Sequence, residues 1–140
     1  MAVRKASMQQ QVAESIAQLN PADRPIVTFH TIVGPSPWLT SMLGMVGQAF
    51  VKYYFVTLTE QAVVVHRAGR LANRPKELVV AIPRAQAPQL LGEVKRNALW
   101  SALYFQLPNE PKPSRFNTHR IWRNERDEFV AALGGQPAAA

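Results

Sequence analysis

Apolar and polar positions are most clearly organised over residues 52–67, K-Y-Y-F-V-T-L-T-E-Q-A-V-V-V-H-R. Residues 53–58 and 62–67 are rich in β-branched and aromatic side chains, which fit a pleated, half-buried surface. The polar triplet Thr59-Glu60-Gln61 between them is short enough for a hairpin loop. Most of the chain reads as further strands added to this hairpin. Residues 26–33 predict a first strand, with Val27, Phe29 and Val33 on one face, Thr28 and His30 on the other, and Ile32 out of step. Gly34-Pro35-Ser36-Pro37 stops it. Residues 76–82 predict a strand whose face is Leu78, Val80 and Ile82. Residues 89–95 predict another, bent near Gly92. In residues 98–107, Leu103, Phe105 and Leu107 alternate with Tyr104 and Gln106, and residues 115–122 make the last strand.

Three stretches have helical spacing. In residues 7–20, Met8, Val12, Ile16 and Leu19 form a narrow apolar stripe, with Ser7 as the expected cap and Asn20-Pro21 as the stop. Such a stripe suits docking on the chain's own sheet or pairing with another chain. Residues 38–50 place Trp38, Leu39, Met42, Leu43, Val46 and Phe50 on one face without any charge. They read either as a helix closing one end of the sheet or as an exposed apolar surface for a partner, a second copy or a membrane interface. In residues 124–133, Asn124 is the expected cap, and Glu125, Asp127 and Glu128 sit where the helix dipole favours acids. Phe129, Val130 and Leu133 are its apolar stripe. Gly134-Gly135 ends it, and residues 135–140 read as a disordered tail.

Seven strands at short spacing suggest a sandwich or an open barrel, and a final amphipathic helix can plug the open end. Three segments carry a family resemblance: residues 54–67, residues 76–84 (K-E-L-V-V-A-I-P-R) and residues 121–133 (I-W-R-N-E-R-D-E-F-V-A-A-L). In them the chain resembles the bacterial pleckstrin-homology-like (PH-like) domains. There a strand ending as Leu58-Thr59 does leads into a hairpin, a strand like that ending in Ile82-Pro83 follows, and a C-terminal helix caps the barrel. The resemblance covers residues 25–134. It implies a mainly β fold, a seven-stranded open barrel capped by a C-terminal α-helix, with residues 1–24 as an added N-terminal helix and linker. It also implies a scaffold or interaction module. Lipid-binding members gather basic residues in the loop after the first strand. Residues 34–50 carry no charge here, so phosphoinositide binding is not implied.

Composition narrows the function classes. At 140 residues with 47% apolar content, one globular domain with a real core is expected. There is no cysteine, which removes disulfides, thiolate metal sites and cysteine nucleophiles. The N-terminal stretch is too polar for a signal peptide, and the apolar run at 37–51 falls short of the roughly 20 residues of a spanning helix. A soluble, cytoplasmic protein is expected. His30, His66 and His119 fall on three separate strands without zinc-type spacing and are expected to face solvent. Neither a nucleophile elbow nor a phosphate-binding glycine loop occurs. No catalytic residue, metal, cofactor or small-molecule substrate is therefore predicted.

The net charge is +7, which favours anionic partners. Two basic groups stand out: Arg67, Arg70, Arg74 and Lys76, and Arg115, Arg120, Arg123 and Arg126. Each is either a solvated face or a set of phosphate contacts. Trp100 and Tyr104 are either barrel wall or stacking surfaces for bases. The leading expectation is a non-catalytic module that assembles with a protein partner or with itself through the 8–19 stripe and the 38–50 face. The alternative is an anionic-surface binder, for lipid head groups or nucleic acid, through the arginine groups.

Overall fold

The predicted strand stretches pair with their neighbours along the chain. The computed structural model describes residues 2–34, 52–69, 75–96, 98–108 and 110–134. Its strands are β1 (Pro25–Val33), β2 (Lys52–Thr59), β3 (Ala62–Ala68), β4 (Pro75–Pro83), β5 (Leu91–Lys95), β6 (Trp100–Phe105) and β7 (Ser114–His119), with helices α1 (Ala2–Leu19) and α2 (Arg123–Ala132). All strand pairs are antiparallel. They form one seven-stranded open sheet in the order β4-β3-β2-β1-β7-β6-β5, with β4 and β5 at its edges. The fold is mainly β, as expected from the strand pattern. The segment 38–50, with Trp38, Leu39, Met42, Leu43, Val46 and Phe50, lies outside the described residues, as do Arg70, Arg74 and residues 135–140.

Alternation along each strand creates two faces. The inner face gathers Val27, Phe29, Tyr54, Val56, Leu58, Val63, Val65, Leu103, Phe105 and Phe116 into the main core. Helix α2 lies on this face through Phe129, Val130 and Leu133. The Phe129 ring meets Phe29 edge-on at 5.3 Å, a geometry that the ring quadrupoles favour. Gly134, at φ 80°, ends the helix and donates its N–H to the Ala131 carbonyl, a left-handed conformation that suits glycine.

The outer face of β1–β4 is also covered. Val12 and Ile16 of α1 are buried against Phe55, Val64 and Ala68, with Met8 beside them. Three of the four stripe residues proposed as a docking surface are thus packed inside the chain's own fold; Leu19 alone is 55% exposed. Lys5 fastens the helix to the far side of the domain. Its ammonium donates to the Ile121 carbonyl at 2.8 Å, pairs with Glu125 at 2.7 Å and lies 5.1 Å from the centre of the Trp122 ring. Ser7 is not the cap, because α1 begins earlier and Ser7 lies within it.

The hairpin turn is shorter than the polar triplet predicts, because Thr59 still belongs to β2. Its hydroxyl donates to the buried Asp23 carboxylate at 2.6 Å and accepts from the Ala62 N–H at 2.8 Å. The other Asp23 oxygen accepts from the N–H groups of Arg24 and Gln61. This clasp ties the entry to β1 to the β2–β3 turn.

The last strand is also shorter than predicted. It stops at His119, whose Nδ1 accepts from the Ile121 N–H and starts a 3₁₀ turn over Arg120–Trp122. Helix α2 follows directly, so Trp122 occupies the cap position and Asn124 lies inside the helix. Glu125 remains in the first turn; Asp127 is occupied by arginine instead.

Among the described residues, β1 and β7 pair at Ile32 with Asn117 and Val33 with Phe116, and the Gly34 N–H donates to the Arg115 carbonyl at 3.2 Å. The Asn117 side chain extends this short ladder. Its amide donates to the carbonyls of Ile32 at 3.0 Å and Gly34 at 3.2 Å, and its oxygen accepts from Arg115 Nε at 2.9 Å. Asn117→Ala removes the donors for two partly buried carbonyls and is expected to cost about 2–4 kcal/mol. Urea unfolding checks this; a loss below about 1 kcal/mol would mean that the main-chain ladder holds the seam without Asn117.

Candidate binding surfaces

Two of the three histidines, His30 and His66, correct the expectation that they face solvent, while His119 is partly exposed. On the outer face, His30 of β1, Phe55 of β2 and His66 of β3 stand in one cross-strand row. With strands about 4.8 Å apart, the two histidines flank Phe55 at roughly 10 Å from one another. His66 is buried between residues that α1 covers. His30 is half-buried, with its ring 5.2 Å from Phe55 edge-on and stacked near Tyr53 and Trp122. His30 Nε2 and His66 Nδ1 have no hydrogen-bond partner among the described residues. Burial lowers both pKa values, that of His30 to about 4. These are neutral rings packed as aromatics. Among the described residues no cluster of three or more His, Cys, Asp or Glu is placed to hold a metal ion.

The edge strand β4 lies between two grooves. On the outer face a groove of about 350 Å³ runs between the end of α1 and the sheet. Leu19, Ile16, Val64, Leu78, Ala81 and Pro83 supply its apolar lining, and Leu78 is 42% exposed. On the inner face a cleft of about 230 Å³ is lined by Lys52, Tyr54, Arg67, Glu77, Leu78 and Val79. Burial, with Glu110 second, raises the Tyr54 phenol above its ordinary pKa. The edge therefore separates an apolar side from a charged side that carries Lys52 and the Arg67–Glu77 pair.

The first basic group contributes only Arg67 among the described side chains. Arg67 is largely exposed and sits 3.1 Å from the equally exposed Glu77, a pair worth little in water. Lys76 belongs to the β4 backbone. The second group divides. Arg126 is 2% exposed, and both its Nε and Nη2 donate to Asp127 Oδ1, at 3.0 and 2.7 Å. It is a structural cation, not a phosphate contact. Arg115, Arg120 and Arg123 stay near the surface, where Arg115 faces Tyr104 across the β6–β7 ladder. Trp100 and Tyr104 point away from the core, on the face opposite Leu103 and Phe105, and are partly exposed.

Sequence reasoning missed the burial of the histidines and the role of Asn117. A signal for the first was present. Ala62-Val63-Val64-Val65 is a continuous apolar run, which means a strand covered on both faces. A short asparagine in a strand gives no comparable warning.

No protein-family model, no curated protein and no solved structure matches this chain. No helix among the described residues is long and apolar enough to cross a membrane.

The buried histidine predicts a pH dependence. Above about pH 6.5 His30 is neutral in both the folded and the unfolded chain. Between there and about 4 the unfolded chain binds a proton that the folded chain excludes, so stability falls as pH falls. The full loss at this site is on the order of 3 kcal/mol. In His30→Phe, whose ring suits the same aromatic neighbours, the decline between pH 6.5 and 4.5 should become shallower, by urea titration at each pH. An unchanged slope would assign the acid sensitivity to other groups.

Proposed function

We propose that the chain is a non-catalytic PH-like interaction module that receives an extended segment of a partner protein at the β4 edge. The strand order, with a four-stranded meander and a three-stranded meander joined at β1 and β7, supports the PH-like reading. So does a C-terminal helix on the inner face. The observation that carries the interaction is the edge of β4 between its two grooves, which no strand among the described residues pairs. Its free N–H and C=O groups are a template for one more strand.

The grooves specify the chemistry of that strand. A strand added to β4 places alternate side chains on opposite faces. On the outer side they meet the apolar groove at Leu19 and Leu78. On the inner side they approach Lys52 and Arg67. The matching partner alternates apolar with acidic residues. Pro83 ends β4 and limits the length of strand that can pair.

The probe is a peptide of alternating glutamate and leucine or valine, with a lysine-for-glutamate version as control. The acidic peptide should shift the amide NMR signals of β4 and lose at least about tenfold in affinity with Leu78→Lys, which spoils the apolar side. Equal binding of both peptides would remove the charge complementarity. A homodimer joined through β4, seen by sedimentation and abolished by Leu78→Lys, would replace this partner with a second copy of the chain.

A further inference from the structure

We propose that the outer face of β5–β7 is a platform for single-stranded nucleic acid, a second binding surface independent of the β4 edge. The alternation of β6 puts Trp100, Ala102 and Tyr104 on this face. Their partners across the β6–β7 ladder are His119, Asn117 and Arg115. The middle pair, Ala102 and Asn117, is small and buried, which leaves the two partly exposed aromatic residues on either side of a shallow centre. Trp100 and Tyr104 are four residues apart on one strand, about 13 Å. That separation lets each ring take its own base.

Cations interleave with the rings. Lys95 of β5 has its ammonium 5.8 Å from the centre of the Tyr104 ring, and Arg115 is the direct partner of Tyr104 on β7. At the other end, His119 meets Trp100 edge-on at 5.1 Å. Arg120 is near enough to add to the burial that lowers the His119 pKa. Arg123 reaches the Ala98 carbonyl at 3.4 Å, which places it beside the turn that leads into Trp100. The acid on these three strands is Glu93 of β5; β6 and β7 carry none. Gly92 lies close against Tyr104: a Cβ there would lie 3.2–3.3 Å from the Tyr104 carbonyl oxygen and Cβ, so a larger residue would push the two strands apart by a few tenths of an ångström.

The pattern fits one polymer class better than its rivals. A single strand alternates flat bases with phosphates, and aromatic faces interleaved with lysine and arginine match both. A duplex keeps its bases stacked inside and offers nothing to these rings. A bilayer favours protruding apolar side chains, and among the described residues near this face only Leu99 is strongly exposed. Helix α1 packs on β1 and β4, on the other half of the sheet.

The test uses the full chain and a fluorescein-labelled oligothymidylate of about 12 nucleotides, followed by anisotropy at low salt. Trp100→Ala and Tyr104→Ala should each weaken binding by about 5- to 100-fold, while Trp100→Phe, which keeps a stacking face, stays within about threefold. Arg120→Gln with Arg123→Gln should reduce the slope of log affinity against log salt by about 1.4, the share of two single-strand phosphates. Oligothymidylate should also quench indole emission in the original chain more than in Trp100→Phe, a readout that stands if an alanine variant fails to fold. Equal affinity for a duplex, or no effect of Tyr104→Ala in a folded variant, overturns the proposal. So does binding to phosphatidylserine vesicles without binding to the oligonucleotide.

Discussion

Among the described residues, two ladder pairs and a main-chain bond from the Gly34 N–H to the Arg115 carbonyl join the halves of the sheet, and much of the architecture follows from this junction. Strand β1 pairs with β2 along nearly all its length but with β7 only at Ile32 and Val33. Before Ile32 the two strands have no ladder between them, and the core would be open on that side. Helix α2 fills the gap, with Phe129 against both Phe29 and Phe105. Burying such large rings is worth about 2–3 kcal/mol each. The seam and the helix therefore depend on one another: the brief ladder sets where the sheet opens, and the opening is what α2 packs into. Asn117 strengthens the ladder with side-chain bonds to the Ile32 and Gly34 carbonyls.

The same division of the sheet decides what is available for binding. Its β1–β4 half is sandwiched, with α1 outside and the core inside. That explains why His66, Thr28 and Thr57 are buried and His30 half-buried although a one-sided sheet would expose them. Thr28 and Thr57 satisfy each other through their hydroxyls at 3.0 Å, as buried polar groups must. What this half leaves free is main chain, along β4. On the outer side of the β5–β7 half, Trp100, Tyr104 and Arg115 are partly exposed, so what it leaves available is side chains. One sheet thus offers two unlike surfaces, one suited to a strand and one to flat rings and anions.

Much of this was legible in the sequence, and the failures share a cause. Strand positions followed from alternation and turn residues, because those signals are local. The inner residues of β6, Leu103 and Phe105, and the stripe of α2 were correctly placed on the same grounds. The histidines were misread because their burial depends on α1, far away in the chain. Asn124 was misread because a preference for cap residues cannot see that His119 begins a 3₁₀ turn and shifts the helix start to Arg123. The four arginines of the second basic group were read alike, yet Arg126 pairs with its neighbour Asp127 while Arg115, Arg120 and Arg123 remain near the surface.

Sorting the arginines changes the meaning of the charge. A net charge of +7 favours any anion and specifies none. Arg126 is neutralised by Asp127, with Arg96 3.6 Å from the same oxygen, so part of that charge serves the packing of α2. Lys5 is likewise held by Glu125 and serves to fasten α1. Cations spent on architecture are poorly placed to recruit a ligand, because withdrawing either would break its ion pair with a partly buried carboxylate. The cations that remain near the surface beside partly exposed aromatic rings are Lys95, Arg115 and Arg120. Specificity on this sheet therefore comes from which rings the cations stand beside, and the overall charge governs only how readily an anionic partner approaches.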